Sequence, residues 1–581
     1  MISGRAGASG TLLVFGRSNM PSTPFYRHIV PLFFIVLTPW NTAASSASKT
    51  VLSTECTVAA TSVLPGTASV KRLPIVRAIV IKGEPVFDPS RETLGDEILA
   101  GLNRLHWQTR ESVIKPQLLF EVGSTLSPAA LAESARLLRS RPYLMDASIK
   151  VRNPCESEVD VEVTTQDAWS LTPRLALNRS GGNSKTGFGV REKNLLGLGV
   201  QVEFKTVKNL DRQGQQFELS TQHLLNTRVQ SSVYIENNDD GDVRAFAIGQ
   251  PFYALDTRKS WGLEVSDISE QIGVYQFGER VRDTQRMQAA GALFYGISSG
   301  LKAGRSHRVT FGLLYEDQDV FLAGATNLEA DEIRTRKLVA PFVQWSSVSD
   351  QFLNARNFDL IGFTEDIETG LVHNLRFAIS PAALGGDQDR FQVSASAGMA
   401  VLASQKGLLR WDVSLSGLRD LEGNETQDIV FSAGIRGLFK PSVGAGYHAS
   451  LNLDVARNVM TGQQLFLGGE TGARGYIDRV QAGDRRLRLR LERRQYLDRN
   501  LFGLMNLGWL VFADVGRAWT PDDVAGRRGQ SLMDVGLGLR LAPTKAERGK
   551  MIHLDFAVPV KNRDDPLVSD YEFVVSIQNG F

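Results

Sequence analysis

From about Gln166 to its end the chain keeps one texture. Segments of about ten residues alternate apolar and polar positions, separated by short Gly/Asp/Asn-rich turns and a few longer polar loops. In one segment Phe391, Val393, Ala395, Ala397, Met399 and Val401 share a side, with Gln392, Ser394 and Ser396 on the other. The same alternation runs through Val309, Phe311, Leu313 and Tyr315, through Trp411, Val413 and Leu415, and through Ile429, Phe431, Ala433 and Ile435. It returns near the end in Ile552, Leu554, Phe556, Val558 and Val560. Side chains of a strand point alternately to its two faces, so this period predicts strands with one apolar and one polar face.

Two architectures satisfy such strands. In a soluble sandwich the apolar face meets a second sheet; in a membrane barrel it meets lipid and the polar face lines a wet lumen. Roughly 414 residues of uninterrupted strand texture are too many for one sandwich. At about 26 residues for a strand and its connection they make about 16 antiparallel strands, an even number as single-chain barrels require. Arg488, Arg490, Glu492 and Arg494 fall on one face of one strand. A soluble core could hardly hold those charges, whereas a lumen can. The expected fold is a transmembrane β-barrel over residues 167–581, behind a smaller domain over 74–166.

That smaller domain has a different rhythm. Ile75 to Lys82 is β-branched and strand-like, and Asp96 to Trp107 has helical spacing through Ile98, Leu99, Leu102 and Leu105. A second helix opens at Ser127-Pro128, serine as cap and proline at the first helical position, and runs through Leu131, Ala135 and Leu138. Ala147 to Arg152 and Glu158 to Thr165 alternate around an Asn153-Pro154 turn. Strand–helix–helix–strand–strand in under about 100 residues is a compact α+β module.

Ahead of it, Ile29 to Leu37 is an apolar run preceded by Arg27-His28 and followed by the small residues Asn41 to Ala47. A basic flank, a short apolar core and small residues mark residues 1–47 as a secretory signal peptide and leader, and Met20 is a candidate start. The run is short for a bilayer span and carries Pro31. Residues 48–73, rich in Ser, Thr and Ala, read as a flexible arm. Cys56 and Cys155, the only two cysteines, are too few for a disulfide scaffold or a zinc cluster; after export they could form one bridge or stay as thiols. The formal charge of +2 gives no case for a nucleic-acid partner, and the seven scattered histidines suggest no metal.

The candidate functional element is Leu467-Gly468-Gly469-Glu470-Thr471-Gly472-Ala473-Arg474-Gly475-Tyr476, between alternating segments Tyr447–Val455 and Leu487–Leu497. Small residues around one arginine and one tyrosine describe a kinked loop. If Arg474 is buried it needs an anion. Two acids are candidates: Glu492, which shares its face with Arg488, Arg490 and Arg494, and Asp514, which shares its face with Phe512 and Gly516. A loop arginine meeting both would make a charge-assisted lock, with Tyr476 packed beside it, that occludes the pore. Exposure of Arg474 to solvent is the alternative.

This loop resembles the Val-Arg-Gly-Phe/Tyr motif of the BamA/TamA-like outer-membrane assembly and translocation superfamily (the bacterial surface antigen family), with Ala473 in place of valine. Phe512, Asp514 and Gly516 resemble its Phe-x-Asp-x-Gly strand, and Glu492 the acid on the strand before. Residues 74–166 resemble a single POTRA domain, in particular Leu137-Leu138-Arg139-Ser140-Arg141-Pro142-Tyr143 followed by Asp146-Ala147. Asp167-Ala168-Trp169-Ser170-Leu171-Thr172-Pro173 and Glu192-Lys193-Asn194-Leu195-Leu196-Gly197-Leu198-Gly199 look like the family's opening strands. Tyr571, Phe573, Val575, Ile577 and the terminal Phe581 share a face, as in a C-terminal outer-membrane sorting strand, which would close on the first strand near Trp169 to Asn178.

The resemblance implies an integral protein of the outer membrane with its module in the periplasm. Such a protein would insert or translocate unfolded outer-membrane or secreted polypeptides, with or without periplasmic accessory proteins, through strand addition at the module edge and at the barrel seam. It implies no cofactor or nucleotide. A two-partner secretion translocator and a passive pore or structural barrel are the alternatives; the former usually carries two POTRA domains, and only one fits here. Gly296-Ile297-Ser298-Ser299-Gly300 matches a nucleophile-elbow pattern without the strand-to-helix setting that chemistry needs, and the glycines at 469, 472 and 475 lack a Walker lysine and a following helix. No catalytic constellation remains, and a non-enzyme is expected.

Overall fold

The computed structural model describes residues 73–87, 101, 103–104, 106–154, 157–180, 183–323, 334–459, 463–501, 503–521, 530–546 and 550–579. Residues 1–72, which hold the expected signal peptide and nearly all of the expected arm, lie outside these, as do Cys56, Cys155, Phe581 and most of the helix expected over 96–107.

The N-terminal module is a three-stranded mixed sheet backed by helix. β1 (Ile75–Glu84) runs parallel to the central β3 (Glu158–Asp167), and β2 (Leu144–Arg152) pairs antiparallel on the other side of β3. A short helix α1 (Glu111–Ile114) precedes α2 (Pro128–Arg139). The serine-proline start of α2 is as the sequence predicts: the Ser127 hydroxyl accepts the Ala130 N–H at 3.1 Å, and Pro128, which has no N–H to satisfy, opens the first turn. Leu138 on its inner face packs with Val113, Val161 and Val163 into one buried core, with Leu131 against it, and Ala135 is buried as well. The outer edge of β2 has no ladder partner among the described residues.

After Asp167 the chain enters a ring of antiparallel strands, each paired with its neighbour in sequence, from Leu171–Ser180 round to Glu572–Asn579. The alternation expected from the sequence is carried out in space. Along Arg305–Leu322, Val309, Phe311, Leu313 and Tyr315 face outward and exposed, while Arg308 and Thr310, on the other face, are buried toward the lumen. A belt of such residues continues round the ring through Phe188, Trp261, Ile435 and Phe573. An apolar belt of this extent is stable only against lipid, so the barrel spans a membrane. No helix among the described residues is long and apolar enough to do so.

The expected strand count needs correction. Among the described residues the ring has 20 strands, not 16. The first six, Leu171–Ser180, Asn183–Glu192, Val200–Lys208, Gln213–Thr221, Gln230–Asn238 and Gly241–Gln250, are short and follow one another within two to eight residues. They therefore use far fewer residues each than the assumed 26 or so.

Closure also differs in detail. Trp169 precedes the first strand rather than lying in it; its N–H donates to the Lys545 carbonyl at 2.7 Å, and it bridges Ala546 in the turn before the penultimate strand. The last and first strands meet in one register pair among the described residues, Val575 with Arg179. On either side the pairing is extensive, with Lys550–Ala557 against Glu572–Asn579 and Leu171–Ser180 against Asn183–Glu192. Among the described residues this seam has the fewest register pairs of any neighbouring strands in the ring.

Candidate functional site: a loop locked in the lumen

Strands Ala445–Arg457 and Arg485–Leu501 are joined by residues 458–484 at the barrel mouth away from the module. This connection turns inward. Leu465–Leu467 and Gln481–Gly483 pair as a small hairpin, and between them the chain makes a 3-10 turn at Gly469–Thr471 and descends to Arg474. Gly472 has φ +119°, a conformation closed to most side chains. At Gly475 a side chain is excluded by space, since a Cβ there would stand 2.7 Å from the Asp534 Cβ and 3.1 Å from the Pro559 nitrogen.

The structure brings Arg474 together with Glu492 and Asp514. Its Nε and Nη2 grip Asp514 at 2.7 and 3.1 Å, a fork on a carboxylate that is fully buried, and Nη2 also reaches Glu492 at 3.2 Å. A third acid completes the set: Nη1 lies 3.3 Å from Asp555. The guanidinium sits 3.4 Å above the Phe512 ring, so four sides of the cation are satisfied. Each acid has a second arginine as well. Arg494 forks to Glu492 at 2.7 and 2.9 Å, Arg540 to Asp555 at 2.6 and 3.1 Å, and Arg490 reaches Asp514 at 3.3 Å. Alternation supplies this wall, for Glu492 and Arg494 face inward while Leu487 and Leu491 face lipid, and Asp514 faces inward while Trp509 and Val511 face lipid.

Tyr476 is fully buried beside the lock. Its hydroxyl lies 2.8 and 2.9 Å from the Met533 and Lys561 carbonyl oxygens, which share its one proton, and accepts the Met533 N–H at 3.1 Å. Gly516 gives room to Leu467, whose side-chain carbon would be 3.0 Å from a Cβ there. Past the lock the loop crosses to the opposite wall. Arg479 pairs with Asp211 at 2.6 and 2.8 Å and stacks over Tyr275 at 4.2 Å, and Gln464 bonds the Tyr275 backbone at 2.8 and 3.0 Å. The loop is thus tied both to late strands (Asp514, Asp555) and to the early part of the ring (Asp211 in a turn, Tyr275 on a strand).

Sequence reasoning did not find Asp555, Asp211 or Arg479. Asp555 carried a usable signal, an acid on the polar face of the Ile552–Val560 alternation. Of the sorting-strand residues, Tyr571, Phe573 and Ile577 are exposed on the outer face. Ser298, from the elbow-like pattern, lies in a strand-to-strand setting with its hydroxyl 3.2 Å from that of Ser306.

The module is seated on the near mouth by polar contacts. The turn Asn194–Gly199 takes part directly: the Gly197 carbonyl accepts the Arg110 N–H at 3.0 Å, Asn194 donates to Thr109 at 2.9 Å, and a Cβ on Gly199 would press on Tyr143 and Val113 at 3.2 Å. Arg228 donates to the Pro116 and Leu118 carbonyls at 2.7 and 2.9 Å. Glu133 of α2 accepts the Leu255 N–H at 2.6 Å, and burial pushes its carboxyl above the usual range. His223, in the turn beside Arg141, is pushed down to about 3 by burial and by that cation and Arg228.

No family model matches the sequence, and no curated protein does. Among solved structures the chain is similar to CdiB from Acinetobacter baumannii, at 12% identity and TM-score 0.45 over 88% of this chain and 74% of that one. It is similar to CdiB from Escherichia coli at 13% and 0.45 over 88% and 77%. BamA from Haemophilus ducreyi lacking POTRA domains 1–3 follows at 11% and 0.36, over 87% and 84%. These likenesses are distant.

Proposed function

We propose that the chain is an outer-membrane factor that inserts or translocates unfolded polypeptides, with residues 74–166 acting as a POTRA domain in the periplasm. The observation that carries the reading is the seam. A sheet edge with unpaired N–H and C=O groups is a template for another strand, and the ring offers one wherever the last strand leaves the first. The module leads into the first strand and presents a second such edge on β2, so a client held at β2 is delivered beside the seam. Strand addition needs no nucleotide; folding of the client supplies the free energy. The Arg474 lock fits this role, since it keeps the lumen filled while the seam works. The occupied lumen weighs against a passive pore.

Photocrosslinking in cells from Ile149 on β2 and from Ile577 at the seam tests the proposal. Adducts with nascent outer-membrane proteins at both positions support an insertase. A single large secreted protein at both identifies a two-partner secretion translocator instead. No polypeptide adduct at either position, with free ion conduction through the purified barrel, refutes polypeptide handling.

A further inference from the structure

A second element enters the lumen, from the module side. Between strands Arg334–Ser349 and Val372–Ser380 the chain forms a hairpin, Phe352–Arg356 against Thr364–Glu368, that pairs with no barrel strand. Two strands alone are marginal, so the anchors at its two ends hold it in place. At the tip, the Glu365 carboxylate accepts the Phe358 and Asp359 N–H groups at 2.8 and 2.9 Å and shapes the turn. Phe358 and Ile361 are fully buried. The Phe358 carbonyl accepts from Arg494 and Tyr496, both at 3.3 Å, and the Ile361 carbonyl from Asn506 at 3.0 Å. Asp359 pairs with Arg436 and lies 3.9 Å from Arg494. At the base, Arg139 of α2 forks to Asp366 at 2.7 and 2.8 Å, and Arg136 stacks over the Phe352 ring at 4.2 Å.

Arg494 joins this hairpin to the lock. One side of it meets Phe358 and Asp359; the other forks to Glu492, which also holds Arg474. Ile361 belongs to the same buried apolar cluster as Phe512, the ring on which Arg474 stacks. A contiguous path therefore runs from the module helix through Asp366, the hairpin, Arg494 and Glu492 to Arg474.

We propose that the hairpin Phe352–Glu368 is a second plug, closing the module-side mouth of the lumen, and that its seating couples the position of the module to the Arg474 lock. The module grips the base of the hairpin and the lock grips its tip, so moving one loosens the other. The inference goes beyond the proposed function and is tested without any client, so either can fail alone.

Occlusion is tested by replacing residues 353–367 with a short Gly-Ser turn and recording conductance of the full-length protein in planar bilayers. Heat-modifiable migration on gels confirms a folded barrel. Conductance above wild type with Arg474 intact is expected; a folded barrel that stays closed overturns the second plug. Coupling is tested with Arg139→Asp, Asp366→Arg and the two together, each carrying Ala473→Cys with Cys56 and Cys155 changed to serine. Each single change is expected to raise maleimide labelling of the buried position 473 several-fold, and the swapped pair to restore it. Unchanged labelling in the single variants, or no restoration in the swap, overturns the coupling.

Discussion

Replacing Arg474 with alanine removes one cation from among three acids, and the structure says which of them suffers. Glu492 keeps its fork to Arg494, and Asp555 keeps its fork to Arg540. Asp514, fully buried, loses its bidentate partner and retains Arg490 at 3.3 Å. Of the three acids that Arg474 contacts, only Asp514 is therefore left short of charge. Removing one partner of a buried pair costs about 3–5 kcal/mol, and the residual contact to Arg490 puts Arg474→Ala at about 3 kcal/mol, the low end. Loss of the stack on Phe512 acts in the same direction. The cost falls on seating the loop, because the strand ladders are untouched. About 3 kcal/mol is about a hundredfold in the population of the undocked loop. Ala473→Cys in a background without Cys56 and Cys155 reports it, since position 473 is fully buried when the loop is seated. Labelling by a soluble maleimide should rise about a hundredfold with Arg474→Ala. Adding Asp514→Asn should recover much of the loss, because the orphaned charge is gone. A labelling rate within twofold of the parent would refute the reasoning, since the loop would then be held by something other than this ion pair.

Other consequences follow from the same geometry. Tyr476→Phe strands the Met533 N–H inside the barrel, a loss of about 1–3 kcal/mol that should lower the temperature at which the folded band disappears on gels. Gly475→Ala puts a methyl against the Asp534 Cβ and the Pro559 backbone, which cannot retreat, and should expose position 473 at least as much as Arg474→Ala does. His223 should make module seating sensitive to acid. Its folded value of about 3 lies below the ordinary 6.5, so the seated state resists a proton that the unfolded state accepts. Stability is full above about 6.5 and declines as pH falls toward 3. Glu133, raised by burial, works in the opposite sense and strengthens seating as it protonates. Limited proteolysis of the module against pH should show the decline, and His223→Gln should flatten it.

The barrel was legible because its signal is local. Period-2 alternation in Val309–Tyr315 or Ile552–Val560 needs no partner to be recognised, and lipid outside with water inside makes the two faces distinct. The number of strands was not legible in the same way. It depends on where turns fall, and the strands from Leu171 to Gln250 are only nine or ten residues each and closely spaced. Arg474 could be picked out because glycines isolate it, and Glu492 and Asp514 because their strands are close in sequence. Asp211 is brought to the loop only across the ring, which no local window contains, and Asp555, though on the polar face of its own alternation, stands two strands beyond Asp514. The hairpin at 352–368 looks like a loop, for its apolar residues, Phe358, Leu360, Ile361 and Phe363 among them, keep no regular alternation and are broken by Asn354, Asn357, Asp359 and Gly362. Its inward path is set by Arg494 and Arg139, remote residues on other elements.

The order of the lock along the chain bears on how the barrel is made. Arg474 leaves the ribosome before every acid that holds it: Glu492, Asp514 and Asp555 lie on strands that follow the loop. The loop therefore cannot seat until the closing strands are laid down. A slip of one residue in either of the strands Met505–Trp519 and Lys550–Pro559 would turn Asp514 or Asp555 outward into lipid. Docking of Arg474 thus comes late in biogenesis and succeeds only on a correctly threaded C-terminal half, which makes the ion pair a checkpoint on assembly as well as a bolt on the finished pore.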